Sequence, residues 1–252
     1  MKLIVLGCGT STGVPVIGCH CGVCASKDPR NSRTRSSLLI QSNGKNILID
    51  ASTDLRAQAL RSGIERIDAV LFTHPHADHI HGIDDLRSFN MAQGKAIPIY
   101  ANAHTLGRIK AMFDYIFDKK KAEGWRPDLT PHVIEGAFDL FGTEIVPVEI
   151  RHGEASILGF RFGQAAYITD CSHLPADSLE KLRGIKVLII GALRHRPHPT
   201  HLNIEQALEI AGELRPERAF LTHLSHSLDY GADNERLPKG VELAYDALAL
   251  EV

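Results

Sequence analysis

The chain has 252 residues, 44% of them hydrophobic, with 28 Lys and Arg against 30 Asp and Glu and a formal charge of −2. That length suits one large domain and is short for two, and the apolar fraction supports a sizeable core. The charge argues against a surface built mainly to hold nucleic acid, and no apolar run reaches the roughly 18 residues of a membrane span.

The opening "MKLIVLGCGTSTG" reads as a strand over 2–7 running into a turn, not as a signal peptide. A cytoplasmic setting follows as the expectation, and there thiols stay reduced, so the five cysteines need a role other than disulfides. Next comes "GCHCGVC", with Cys19, Cys21 and Cys24 on one tight loop. Thiolates are strong zinc ligands, and a structural site needs a fourth donor. His20 is adjacent, and His226, in "THLSH", is the attractive distant one. Arg30, Arg33 and Arg35 then form a run that reads as a solvated face.

Strands are predicted at 36–42 and 46–51 around the hairpin turn "SNGKN", with a helix over 53–62. A strand over 69–74 runs into "HPHADHIHG". Further strands follow at 97–101, 144–150, 158–163, 165–170, 186–191 and 218–223, with helices over 104–121, 176–182 and 204–214. Strands come both in hairpins and alternating with helices, which predicts two sheets with helices outside. The stretch at about 102–130, with Phe113, Tyr115, Phe117 and Trp125, is a helical excursion that forms a lid, a dimer surface or core. Cys8 and Cys171 look like small residues at strand-to-loop junctions.

Three of these strands end alike. "LFTH", "YITD" and "FLTH" present His74, Asp170 and His223. Strand ends hold side chains rigidly, as a metal site requires. His74 and His76 are two apart and point the same way when extended. Asp78 and His79 follow within a turn and face a second metal, and Gly82 lets the chain bend away. A metal pair about 3.5–4 Å apart needs an anionic bridge, for which Asp170 is the natural candidate. His152, after a strand, and His223 complete the two shells. The His and Asp ligands suit zinc and manganese equally.

"THPHADHIHG", with the later His152, Asp170 and His223 in order, resembles the signature of the metallo-β-lactamase superfamily, whose fold is a four-layer αββα sandwich. The resemblance covers nearly the whole chain, 1–252, as a single domain. It implies that His74, His76 and His152 hold one divalent metal, that Asp78, His79 and His223 hold the other, and that Asp170 bridges them. Asp78 in place of a cysteine points to hydrolases of phosphodiesters or thioesters. "GTSTGVPVIGCHCGVC" and the ending "LTHLSH…LPKGVELAYD" further resemble the PhnP-like cyclic phosphodiesterases of phosphonate breakdown. That family implies a structural zinc on Cys19, Cys21, Cys24 and His226. It also implies a small substrate such as 5-phosphoribosyl 1,2-cyclic phosphate or a cyclic nucleotide, attacked by a metal-activated hydroxide that Asp78 helps to orient. PqqB-like proteins share the cysteine loop but generally lack the full metal motif.

"LRHRPHPTHLN" adds His195, His198 and His201 before the helix over 204–214, with Asn203 as its N-cap. The His-x-Asn arrangement resembles that of tRNase Z and the PhnP-like enzymes, which implies that His201 is either the proton donor to the leaving oxygen or a phosphate ligand, with proton donation as the expectation. His195 and His198 read as loop residues, and Arg194 and Arg196 as phosphate contacts or exposed loop. A nuclease of tRNase Z type would need a basic exosite arm, and the chain offers only "KKK" at 119–121. A non-catalytic metal-binding module is the remaining alternative.

Overall fold

A computed structural model of the chain describes residues 1–118 and 124–252. Among them two seven-stranded mixed sheets face each other with helices on both outer faces, an α/β sandwich. The first sheet holds β1 (Lys2–Gly7), β2 (Ser37–Ser42), β3 (Lys45–Ile49), β4 (Ala69–Leu71), β5 (Ile97–Ala101) and β6 (Leu129–Val133). The second holds β7 (Phe138–Leu140), β8 (Thr143–His152), β9 (Ala155–Phe162), β10 (Ala165–Ile168), β11 (Val187–Gly191), β12 (Arg218–Thr222) and β13 (Val241–Leu243). The last strand, β14 (Leu248–Glu251), returns to pair with β1.

The strands of the first sheet read as continuous apolar runs because both of their faces are buried. Alternate residues serve different layers. Leu3, Val5, Leu38, Ile40, Ile47 and Ile49 pack into the core between the sheets. Ile4, Leu6, Leu39 and Leu48 point outward beneath α1 (Leu55–Ser62), α3 (Leu86–Gln93) and α4 (Ala103–Met112). The second sheet is covered by α6 (Ala176–Leu182) and α7 (Ile204–Leu214), through Leu182, Ile204, Ala207, Ala211 and Leu214. Asn203 caps α7 reciprocally with Gln206, at 2.9 and 3.0 Å. The β2–β3 hairpin turns through Asn43 and Gly44, both at positive φ, as a two-residue turn of the favoured hand requires.

The expected helix over 104–121 is interrupted. α4 ends at Met112, Phe113 leaves helical geometry, and the short α5 (Asp114–Phe117) follows. The Lys run at 119–121 lies outside the described residues. The stretch that reads as helical then closes as strand β6, on the edge of the first sheet. Leu106, Ile109 and Ile116 are buried against that sheet's outer face, whereas Trp125 is 74% exposed. Strands β7, β13 and β14 are likewise absent from the sequence reading, being three or four residues long and on or near sheet edges. No helix among the described residues is long and apolar enough to cross a membrane.

Candidate metal centre

The sheets bring their strand ends together on one rim. His74 lies three residues beyond β4, Asp170 two beyond β10, and His223 directly after β12. His152 ends β8, and the one-turn α2 (Ala77–Ile80) supplies Asp78 and His79. Ligand-type atoms of His74, His76 and His152 lie within 4.8 Å of one another, and so do those of Asp78, His79, Asp170 and His223. Asp170 also groups with His152 and His201 at that spacing.

Hydrogen bonding fixes which ring nitrogens face inward. Thr73 Oγ1 donates to Asp50 Oδ2 at 2.8 Å, so it can only accept from His74 Nδ1, 2.9 Å away. His79 Nδ1 donates to Asp50 at 2.7 Å, and His152 Nδ1 donates to the Thr200 carbonyl at 2.8 Å. All three rings therefore turn an Nε2 lone pair into the centre, as in metal sites whose outer partners set the tautomer. His79 Nε2 faces Asp170 Oδ2 at 3.2 Å and Asp78 Oδ2 at 3.3 Å. His223 Nε2 lies 3.2 Å from Asp170 Oδ1. His74 Nε2 and His76 Nδ1 are 3.0 Å apart.

Lone pairs and carboxylates this close repel unless a positive charge lies among them. Asp78 Oδ2, His79 Nε2 and both ring nitrogens of His223 are buried without a hydrogen-bond partner, a costly arrangement in a site this dry. Burial would depress His79, yet Asp170, Asp50 and Asp78 together hold its pKa well above the usual range. Burial would likewise raise Asp170, but His223 and His79 hold it well below. A proton on His79 and a bound cation answer the same local charge imbalance. The donor set of imidazoles and carboxylates thus fits divalent metals of the zinc or manganese kind.

Asp50 escapes the sequence reading. It follows β3 fully buried, at positive φ, and accepts from Thr73 N, Thr73 Oγ1 and His79 Nδ1. The signal was present, since "NILID" is a fourth apolar strand ending in a metal-capable residue. Asp170 and His223 also have positive φ. Gly82 needs no unusual backbone angle, and its role is close approach. A Cβ there would collide with the Ser52 carbonyl behind the loop.

His201 is a neighbour of both groups. Its ring centroid lies 4.7 Å from His152 and 4.9 Å from His223, and its Nδ1 is 3.7 Å from Asp170 Oδ1. Burial, then the neighbouring His223, pulls it down to about 3. His195 turns away to Asp233 Oδ1, 2.8 Å distant.

The cysteines form a separate cluster. His226 Nδ1 is 3.3, 3.5 and 3.6 Å from the sulfurs of Cys19, Cys21 and Cys24. His20 is exposed and stands outside it. The Cys24 N–H, then His226, lowers the Cys21 thiol to about 6. Cys8 and Cys171 are buried in the core. The arginine run is not uniformly a solvated face. Arg33 is 1% exposed and donates to the carbonyls of Ser225 and Leu228, at 2.9 and 2.7 Å. Those acceptors flank His226, so a buried cation clamps the segment that carries it. Arg30 pairs with Asp28 and Arg35 with Asp54.

Over residues 45–224 the chain matches the model of the β-lactamase superfamily domain. A crystal structure of a diphosphatase from the PhnP family aligns with it at TM-score 0.93 and 45% identity, covering 100% of this chain and 97% of the other. An octanoyltransferase of Porphyromonas gingivalis is 40% identical over 98% of this chain but 51% of its own length, so the chain spans about half of that relative. A coenzyme PQQ synthesis protein B of Rhodopseudomonas palustris is 33% identical over 90% of each chain.

Proposed function

Because the chain belongs to the metallo-β-lactamase superfamily and, within it, to the PhnP family of metal-dependent hydrolases, we propose that it hydrolyses a small phosphoric ester or anhydride. The expected class is a compound whose phosphorus carries two bridging oxygens, such as a cyclic phosphodiester or a diphosphate. The observation that carries this reading is the pair of adjoining ligand groups with His201 against Asp170 at their edge. The 45% identical diphosphatase supports the diphosphate form.

His74, His76 and His152 would hold one divalent cation, and Asp78, His79 and His223 the other, with Asp170 shared between them. When bound, such a pair polarises phosphoryl oxygens and brings the pKa of water toward neutrality. The protein's own groups do the rest. Asp50 and Thr73 fix the tautomers of His79 and His74. Asp78, held ionised by His79 and His223 against the cost of burial, accepts a hydrogen bond from the attacking water and orients it. In the free site His201 is neutral. A phosphate oxygen placed against it supplies the negative charge that opposes its burial and the nearby His223. The imidazole then carries the proton that the leaving oxygen takes up. The three cysteines and His226, a four-donor set with no carboxylate, suit a structural zinc.

One panel tests the reading. Metal-loaded protein is offered bis-p-nitrophenyl phosphate, a 2′,3′-cyclic nucleotide, ADP-ribose, a precursor tRNA and an acyl thioester. Turnover of the first three and not of the last two is expected. Turnover of the thioester alone would overturn the phosphoryl assignment, and turnover of the tRNA alone would make the chain a nuclease. Inactivity on all five with both ligand groups loaded would favour a binding module.

A further inference from the structure

Three strand ends carry a threonine directly before a donor: Thr73 before His74, Thr169 before Asp170 and Thr222 before His223. All three threonines are fully buried. Burying a hydroxyl costs free energy unless it is bonded, and the isosteric valine would escape that cost. The three hydroxyls have different fates. Thr73 Oγ1 donates to Asp50 and accepts from His74 Nδ1. Thr222 Oγ1 is buried with no partner. Thr169 Oγ1 donates to Asp170 Oδ2 at 2.6 Å, the side chain of the very next residue.

Adjacent side chains of an extended strand point to opposite faces and do not meet. Asp170 leaves that geometry, with a φ of 54°, and its carboxylate comes back onto the Thr169 hydroxyl. Little else holds this carboxylate. The last torsion of an aspartate is broad and roughly two-fold, so the group turns unless a partner stops it. Asp50 has three donors, Thr73 N, Thr73 Oγ1 and His79 Nδ1. Among the described residues, Thr169 is the one hydrogen-bond donor to Asp170 from outside the imidazoles of the centre. Those imidazoles divide between its oxygens. His79 Nε2 lies 3.2 Å from Oδ2, whereas His223 Nε2 and His201 Nδ1 lie 3.2 and 3.7 Å from Oδ1. Tying Oδ2 to Thr169 therefore keeps that oxygen beside His79 and leaves Oδ1 turned to His223 and His201.

We propose that Thr169 is the positioning residue of the shared carboxylate, its hydroxyl fixing the rotation of Asp170 at which one carboxylate can serve two cations. The role rests on the reading of the centre as two adjoining ligand groups and assigns the device that makes the sharing possible. It also separates the three threonines. Thr169 acts through Asp170, Thr73 acts through Asp50 and His74, and the Thr222 hydroxyl is dispensable.

The test reads cation binding and a spectrum, not turnover. Protein whose centre has been emptied by chelator is titrated with Mn²⁺, followed by calorimetry and by electron paramagnetic resonance. The wild type should take up two ions at the centre and give the exchange-coupled spectrum of a bridged pair. Thr169→Val keeps the shape of the side chain and removes its proton. It should weaken the second binding step about 10–100-fold, the usual effect of losing an outer partner, and should shift the spectrum toward that of isolated ions. Thr169→Ser should restore both the affinity and the coupling. Thr222→Val, the same change at the corresponding position, should leave both at wild-type values. A wild-type isotherm and a coupled spectrum in Thr169→Val would overturn the role, and so would a Thr169→Ser variant as impaired as Thr169→Val. Uptake of one ion by the wild-type centre would instead remove the two-cation reading, and the shared carboxylate with it.

Discussion

The two candidate metal groups of this chain are built by opposite means. The cysteine cluster takes three donors from one short loop and a fourth from His226, all of them half-buried, and it contains no carboxylate. The His and Asp centre draws on β4, β8, β10, β12 and α2, most of its donors are buried, and three carboxylates crowd around His79. A closed set of four donors suits structure, whereas a larger set with surplus anionic charge suits chemistry. The two are joined, because His223 and His226 lie three residues apart on a segment that Arg33 clamps. If the contrast is sound, damage to one group should read out differently from damage to the other.

The sharpest way to break the comparison is Asp170→Ala. It removes the carboxylate that faces both His79 and His223. Loss of most of the metal from the centre and at least about 10³-fold of the turnover is expected, several kcal/mol of charge stabilisation. Elemental analysis with unchanged metal content would end the shared-ligand assignment. Next in size, His201→Ala should keep its metals and lose roughly 10²–10⁴-fold on a cyclic nucleotide, the range for a general acid. Its loss on bis-p-nitrophenyl phosphate should be far smaller, because that leaving group departs unaided. Equal losses on the two substrates would make His201 a binding group.

Asp50→Asn sharpens the contrast from the outer layer. An amide there would donate to His79 Nδ1 instead of accepting from it, moving the ring proton to Nε2, where the cation should be. A loss of about 10–100-fold in metal affinity at the centre is expected, the usual effect of an outer partner, while the cysteine cluster keeps its zinc. The smallest effect on turnover belongs to Cys21→Ser. It should lower the melting temperature and remove about one zinc per chain with turnover nearly kept, since coordination contributes folding energy. The same thiol gives a pH signature. In chelator-stripped protein, with Cys21 lowered to about 6, the thiolate fraction falls as pH drops through that value. Alkylation of Cys21 should therefore be near its plateau at pH 7 and fade below pH 6, and bound zinc should abolish it. A midpoint near 9 would mean that the cluster does not hold a thiolate.

The centre was legible because strand ends carry a simple mark. "LFTH", "YITD" and "FLTH" show a buried run stopping at a donor, and His74, Asp170 and His223 stand at those stops. Asp50 has the same mark and was missed because an acidic residue after a strand also reads as an ordinary turn. Two sheets with outer helices were foreseeable because the strands come both in hairpins and alternating with helical segments. Edge elements were not. β6, "LTPHV", is half exposed and contains a proline, so neither periodicity nor propensity announces it. The continuous helix over 104–121 failed at Phe113, whose ring packs edge-on against His81, 5.6 Å away. Such a break is set by a tertiary contact that no local window contains. Arg33 failed for the same reason, since its acceptors are backbone carbonyls nearly two hundred positions away in sequence.

Asp50, Asp170 and His223 all sit with left-handed backbone angles, a conformation that costs a non-glycine residue of order 1–3 kcal/mol and persists only where the surroundings enforce it. Sheet formation thus sets these three side chains before any ion arrives. Little ordering entropy remains to be lost on binding, so the ion should meet a rigid socket and not organise a floppy one. The cation-free protein should then keep the same melting cooperativity and the same backbone amide protection at these three positions. Replacing Asp170 or His223 by glycine would relieve the local strain while removing a donor from the socket, a case in which stability can rise as affinity disappears.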